Sequence, residues 1–330
     1  MTAKYGYYPG CSLERNAIAY HQSAMAVAPL LDIEFVELDD WNCCGATEYI
    51  AVEMLPAYAL VARNLAIASR QKLNGGSKNQ VVAPCSACFL NLSKVDKYMG
   101  DAPRLAANVN TALAAGGLSY QAGSVRVRHL LDIVVNDVGY DAIAARVQKP
   151  LYGLRIAPYY GCLIVRPGFQ GAFDDPEYPM SLDKLMRTLG TTVVDFPVKA
   201  HCCGGHMTQI SEQVALELIR QLLQNAAEYE ADAIVTLCPM CQLNLDGYQE
   251  AVNRHFGTKY HLPILYFTQL MGLAFGLPAA TLGFGKEFVD ATAALNKIGV
   301  EPPPKPKKER AGKEALPMPA MAEGGLSHES

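Results

Sequence analysis

A basic excess is missing from these 330 residues: 28 Lys and Arg stand against 32 Asp and Glu, a formal net charge of −4. That excludes the strong positive field of a nucleic-acid binder. Long apolar runs are missing too. The longest apolar stretch, 264–285, is broken by Thr268, Gln269, Pro278 and several glycines, so no membrane span is expected. The opening MTAKYGYYPG lacks the apolar core of a signal peptide, and the chain is read as cytoplasmic, where thiols stay reduced. Neither the GxxxxGK[ST] phosphate loop nor the GxGxxG dinucleotide fingerprint occurs, so no nucleotide or flavin site is expected. What remains is a globular composition, half hydrophobic and 18% charged, with length enough for two domains.

Against those absences stand ten cysteines: Cys11, Cys43, Cys44, Cys85, Cys88, Cys162, Cys202, Cys203, Cys238 and Cys241. The second five repeat the first at offsets of 151, 159 and 153 residues, each set reading C, then CC, then CxxC. The flanks repeat as well. Tyr7-Tyr8-Pro9-Gly10-Cys11 matches Tyr159-Tyr160-Gly161-Cys162, and Asn42-Cys43-Cys44-Gly45 matches His201-Cys202-Cys203-Gly204. Each CxxC is followed by Leu-Asn-Leu, containing Asn91 and Asn244. In a reducing compartment such sets are read as metal ligands or catalytic thiols ahead of disulfides. A repeat of about 150 residues marks a duplicated domain.

Strand and helix alternate around the cysteines. Strands are expected at 33–38 and 191–196, leading to the CC pairs, and at 81–83 and 233–236, leading to the CxxC motifs; 155–157 leads toward Cys162. Helices are expected over 16–31, 47–71 and 207–229. The fold class is therefore α/β: two domains related by pseudo-symmetry, each with a small, mostly parallel sheet. Ligands of such sheets collect beyond the carboxyl ends of the strands, where all the cysteines would converge. The first domain, with a helical linker over 101–149, takes 1–150, and the second takes 151–300. The second half is read as closing with a helix over 264–276, either buried or facing a partner. The proline-rich end, 301–330, is expected to be a disordered tail or to wrap a partner.

A tetrahedral zinc takes four ligands and an ordinary [4Fe–4S] cubane four cysteines, so five per half is one too many for either. Three arrangements stay open: a spare thiol beside a four-ligand site, five thiolates on one four-iron cluster, or a redox disulfide beside zinc. The doubled C…CCG…CxxC pattern resembles the cysteine-rich CCG domain, and two such domains on one chain resemble the B-subunit family of heterodisulfide reductase. The resemblance spans roughly residues 5–276. It implies two noncubane [4Fe–4S] clusters, the first on Cys11, Cys43, Cys44, Cys85 and Cys88, the second on Cys162, Cys202, Cys203, Cys238 and Cys241. It also implies a disulfide, or a related sulfur–sulfur bond, cleaved or formed between the clusters, including in sulfur-oxidising complexes of this type. Its partners would be a ferredoxin-like subunit, which brings electrons, and a flavoprotein subunit, both resembling those of heterodisulfide reductase. The competing readings are an electron-transfer iron–sulfur subunit without disulfide chemistry and a zinc protein with redox thiols.

His201, beside Cys202, and His206, two residues past Gly204, are the candidate proton donors. Lys199 and Arg166 are read either as anchors for an anionic reactant or as surface charges. The paired tyrosines line a pocket or pack beneath the site, and Asn91 and Asn244 brace the helix after each CxxC.

Overall fold

The computed structural model describes residues 2–46, 49–71, 73, 79–166 and 174–300. The proline-rich tail therefore lies outside the described residues, as do residues 47 and 48 of the expected helix over 47–71. Two four-stranded sheets carry the fold, and every strand pairing in them is parallel. In the first, β1 (Ala3–Tyr7), β2 (Ile33–Glu37), β3 (Asn79–Ala83) and β4 (Val125–His129) stand in the order β2-β1-β3-β4. In the second, β5 (Arg155–Tyr159), β6 (Thr192–Val193), β7 (Ala233–Thr236) and β8 (Ile264–Tyr266) repeat that order as β6-β5-β7-β8. The inner strands are apolar on consecutive residues, as in Val81-Val82-Ala83 and Ala233-Ile234-Val235, and all six are buried. That is the signature of strands covered on both faces.

The order has a consequence for the site. The sheet grows from β1 to β2 on one side and from β3 to β4 on the other, so the crevice lies between β1 and β3, and likewise between β5 and β7. Ligands of open parallel sheets bind there, beyond the carboxyl ends.

The principal helices are α1 (Ile18–Val27), α2 (Met54–Arg70), α3 (Ser86–Asp101), α4 (Pro103–Ala114), α5 (Ser181–Thr188), α6 (Glu212–Glu228), α7 (Pro239–Gly247), α8 (Gln249–Phe256) and α9 (Phe267–Ala274). Both halves belong to one compact unit ending at Val300. Helix α1 of the first half packs on α9 of the second: the Ser23 and Thr268 hydroxyls lie 2.6 Å apart, and Tyr20 stacks on Tyr266 with ring centroids at 4.4 Å.

Three expectations need correction. The stretch 101–149 is not purely a helical linker, because it contains β4. Its Val125-Arg126-Val127-Arg128 alternation is that of a strand, but Arg128 is buried, its charge met by Asp132 and Asp137. The stretch 264–276 begins as β8 before turning into α9. The helices expected over 47–71 and 207–229 are each broken, at Glu53 and Ser211, both in extended backbone. A four-residue helix precedes each break, Tyr49–Val52 and Met207–Ile210.

Candidate functional site

Strand ends deliver the cysteines. β1 runs into Cys11 and β5 into Cys162, while β3 and β7 run into Cys85 and Cys238. In both CxxC motifs the first cysteine is the N-cap in extended backbone and the second lies one turn into α3 or α7. Helix N-termini favour thiolate through their free N–H groups and dipole. The glycine before each leading cysteine is fixed by geometry. Gly10 has φ +71° and Gly161 φ +68°, and an added Cβ would stand 2.9 Å from Cys88 Sγ or Cys241 Sγ respectively. Only glycine lets the backbone pass so close to a sulfur while in the left-handed region.

The sulfurs form connected series. Cys11 and Cys43 Sγ lie 3.6 Å apart, Cys44 and Cys88 3.3 Å, and Cys203 and Cys241 3.6 Å. Thiol contacts also link Cys43 to Cys44, Cys85 to Cys88, Cys238 to Cys241 and Cys162 to Cys202. The first quintet is thus gathered in one nook. In the second, Cys203 also acts electrostatically on Cys162, which closes that set. One further proximity was not legible in the sequence: the Tyr20 hydroxyl lies 3.4 and 3.3 Å from the Pro84 and Leu237 carbonyls, so Cys85 and Cys238, each one residue on, approach one another across the seam and interact electrostatically. Six of the ten cysteines are buried, while Cys11, Cys43 and Cys202 are exposed and Cys162 is partly so.

Electrostatics divide the thiols. Cys44 is held well below the ordinary thiol range by hydrogen bonds from Cys43 and Cys88, then by the Ala46 N–H and Asn91. Cys238 is lowered likewise by Cys241, Cys85 and backbone N–H groups of its helix. Cys202 is lowered to about 6 by the Cys162 thiol and the Gly204 N–H, which donates to its Sγ at 3.3 Å. Cys88 and Cys241 are pushed up, first by the thiols they donate to and then by burial. Each set therefore contains sulfur already disposed toward the thiolate form that a metal requires.

A second layer holds these loops in the same way in both halves. The Tyr8 hydroxyl donates to the Asn42 carbonyl at 2.7 Å, and the Tyr159 hydroxyl to the His201 carbonyl at 2.8 Å. Tyr8 and Tyr159, each three residues before a leading cysteine, are thus the equivalent pair, and they tie that loop to the CC loop. Asn91 donates to the Cys44 and Ala46 carbonyls, and Asn244 to those of Cys203 and Gly205. The asparagines brace the CC loop against the CxxC helix, a bridge between two motifs more than a brace of one helix. In the first half Asn64, fully buried on α2, also exchanges two hydrogen bonds with the Asn42 backbone.

The remaining candidates separate. His201 lines a cavity of about 290 Å³ together with Cys162, Arg166, Cys202 and Gln221. His206 lies instead on the turn entering the short helix 207–210. Lys199 is neither a surface charge nor an anchor. It is 1% exposed, its Nζ lies 3.1 Å from Asp183 and 3.7 Å from the Tyr178 ring centroid, and its carbonyl accepts from the Tyr160 and Gly161 N–H groups. Arg166 is surface-lying, paired with Glu177 and bonded to the Pro176 carbonyl.

The donor set is all sulfur, which suits iron–sulfur or zinc chemistry. Among the described residues, no group of three or more His, Cys, Asp or Glu side chains is arranged around a single metal ion. The thiols string out pairwise, a disposition that fits a multi-iron cluster with several metal corners. The passages kept open by Gly10 and Gly161 fit it as well.

The cysteine-rich CCG domain matches residues 5–93 and 156–246. The chain is 35% identical over 292 residues to the 8-methylmenaquinol:fumarate reductase membrane anchor subunit of Wolinella succinogenes, covering 88% of this chain and 99% of that one. It is 27% identical over 299 residues to the B subunit of the ferredoxin/F420H2-dependent CoB–CoM heterodisulfide reductase of Methanosarcina acetivorans, covering 90% and 97%. It is also 27% identical over 278 residues to an Archaeoglobus profundus protein named for its likeness to the B subunit of heterodisulfide reductase, covering 83% and 91%. A crystal structure of a hypothetical protein from Helicobacter pylori shares the fold, with TM-score 0.70 at 13% identity, covering 87% of this chain and 52% of that one. Among the described residues no helix is long and apolar enough to cross a membrane.

Proposed function

The chain belongs to the cysteine-rich CCG-domain family and is a redox subunit of the kind found in multisubunit reductases, and from that premise we propose that each repeat holds one noncubane [4Fe–4S] cluster on its five cysteines. Such clusters supply electrons singly, so an adjacent pair suits a reactant that takes two. The observation that supports the reading is the seam itself: the Tyr20 hydroxyl lies 3.4 and 3.3 Å from the carbonyls of Pro84 and Leu237, the residues just before Cys85 and Cys238, so the two cysteine sets approach one another in buried surroundings.

The reactant is a disulfide or a related sulfur–sulfur bond, whose cleavage takes two electrons. The residues of the chain bind, shield and orient. The three buried cysteines of each set keep water from the inner face, and the exposed ones open it to the reactant. In the second repeat the cavity beside Cys162 and Cys202 offers the Arg166 guanidinium to an anionic group and the His201 imidazole to a proton. His206 is the further proton source on the same loop. Electrons arrive through a ferredoxin-like subunit, with a flavoprotein behind it, in the cytoplasm.

The 35% identity to the Wolinella subunit favours a second reading. In it the chain passes electrons between a quinol and a flavoprotein partner and does no sulfur chemistry of its own.

Anaerobic isolation of the full chain tests the common ground. About eight iron and eight acid-labile sulfide per chain are expected; stoichiometric zinc in their place would overturn it. Turnover of low-molecular-weight or carrier-bound disulfides with an artificial donor separates the readings. A loaded chain that reduces only a quinone analogue belongs to the second.

A further inference from the structure

A buried lysine joins two of the cysteine loops. Lys199 stands three residues before Cys202, and its carbonyl accepts the Tyr160 N–H at 2.9 Å and the Gly161 N–H at 3.1 Å. Gly161 precedes Cys162, so this backbone tie fastens the loop of Cys162 to the loop of Cys202. Both cysteines line the same cavity.

The side chain closes a network around that tie. Lys199 Nζ meets Asp183 Oδ1 at 3.1 Å. Asp183 Oδ2 accepts from the Tyr160 hydroxyl at 2.7 Å. The same hydroxyl oxygen accepts the Leu182 and Asp183 N–H groups at 2.7 and 3.1 Å. Tyr160 thus serves the first turn of α5 as a capping acceptor would. Met180 Sδ lies 3.1 Å from Nζ, and the Tyr178 ring covers the ammonium. Lys199, Asp183 and Tyr160 are all buried. Desolvation offsets much of what a buried ion pair contributes to stability, yet removal of either charge is costly. A buried polar network with its members satisfied is rigid.

The first repeat is built differently. Two residues before Cys11 stands Pro9, which has no N–H to give, and three before Cys43 stands Asp40. The Asp40 carboxylate is exposed and paired with Arg63, whose guanidinium also bonds the Asp40 carbonyl. Exposed pairs of this kind hold a loop weakly. Arg63 and Asn64 fasten the first CC loop to α2, not to the loop of Cys11. The tie from Tyr8 or Tyr159 to the CC loop is common to both repeats, whereas the tie through Lys199 belongs to the second.

We propose that Lys199 is a positioning residue: with Asp183 and Tyr160 it keeps the Cys162 and Cys202 loops at one spacing, so that the second-repeat centre sits in a preformed site while the first depends more on its metal for shape. Ligands held by locked neighbours lose little order when they bind. The centre beside the cavity of Arg166 and His201 is therefore the one that keeps its metal longer.

The inference rests on the two-cluster reading. Its test is the rate at which iron passes to bathophenanthroline, under reducing anaerobic conditions, from full chains that hold one quintet each. Cys44→Ser retains the second quintet and Cys203→Ser the first. Release from the second centre is expected to be the slower. Lys199→Met is expected to speed that release by about tenfold or more, because Asp183 loses its cation, and to leave release from the first centre unchanged. Tyr160→Phe, which removes only a hydroxyl, is expected to act in the same direction by less. A change common to both centres would mark a loss of overall stability and overturn the inference. Equal release from the two centres, or a second centre indifferent to both variants, would overturn it as well. If the methionine variant does not fold, the phenylalanine variant decides. Chains that take up no iron in either background overturn the cluster reading along with it.

Discussion

At the scale of single residues, the site depends on positions where one atom more or less decides whether sulfur can gather. Gly10 is the sharpest case. Gly10→Ala puts a Cβ 2.9 Å from Cys88 Sγ in a backbone of φ +71°. The expected result is loss of the first centre, with iron per chain falling to about half of about eight, while Gly161→Ala removes the other half. Full iron in both variants would show that the sulfurs do not hold metal from this geometry. Asn244→Ala leaves the buried Cys203 carbonyl and the part-buried Gly205 carbonyl without their donor and should lower stability by about 1–3 kcal/mol, read by chemical denaturation. The ten cysteines and the leading glycines were legible because their spacing repeats. The role of Lys199 was not, because a lysine reads as solvated unless the fold supplies a partner, and Asp183 lies sixteen residues away on α5.

At the scale of elements, the sequence reveals strands where apolar residues run together and hides them where charge is buried. β3 and β7 fell where expected. β4 did not, because Arg126 and Arg128 read as solvent-facing, although Arg128 is 4% exposed. Its guanidinium is satisfied by Asp132, Asp137 and Gln80 at the strand's end. Burial opposes the charge of Asp132, but the hydrogen bonds from Arg128 and Asn136 outweigh it and hold the carboxyl below its ordinary range. Its contribution to stability is therefore complete above the usual carboxylate range and is lost as pH falls through the depressed folded value. Asp132→Asn should cost about 3 kcal/mol near neutral pH, since it leaves a buried cation short of a partner. The difference from wild type should shrink in acid; a pH-independent difference in denaturation midpoint would contradict this. The helix breaks at Glu53 and Ser211 were missed because helical periodicity continues through both.

At the scale of the whole molecule, duplication explains the architecture and the seam explains its use. Two copies of one sheet order, each with a crevice at its switch point, would by themselves give two separate sites. Packing α1 against α9 brings the two CxxC motifs together instead, so that Cys85 approaches Cys238 and Tyr20 reaches carbonyls of both halves. The repeat could be read from the sequence. The join could not, since nothing in either half marks which surface faces the other. The most direct test of the paired-centre account is the magnetic interaction between the centres in the loaded, fully reduced chain. Spin coupling that broadens or splits both EPR signals, and vanishes when either quintet is emptied by Cys44→Ser or Cys203→Ser, is the expected result. Two independent, unbroadened signals, or one signal indifferent to loss of either quintet, would contradict it.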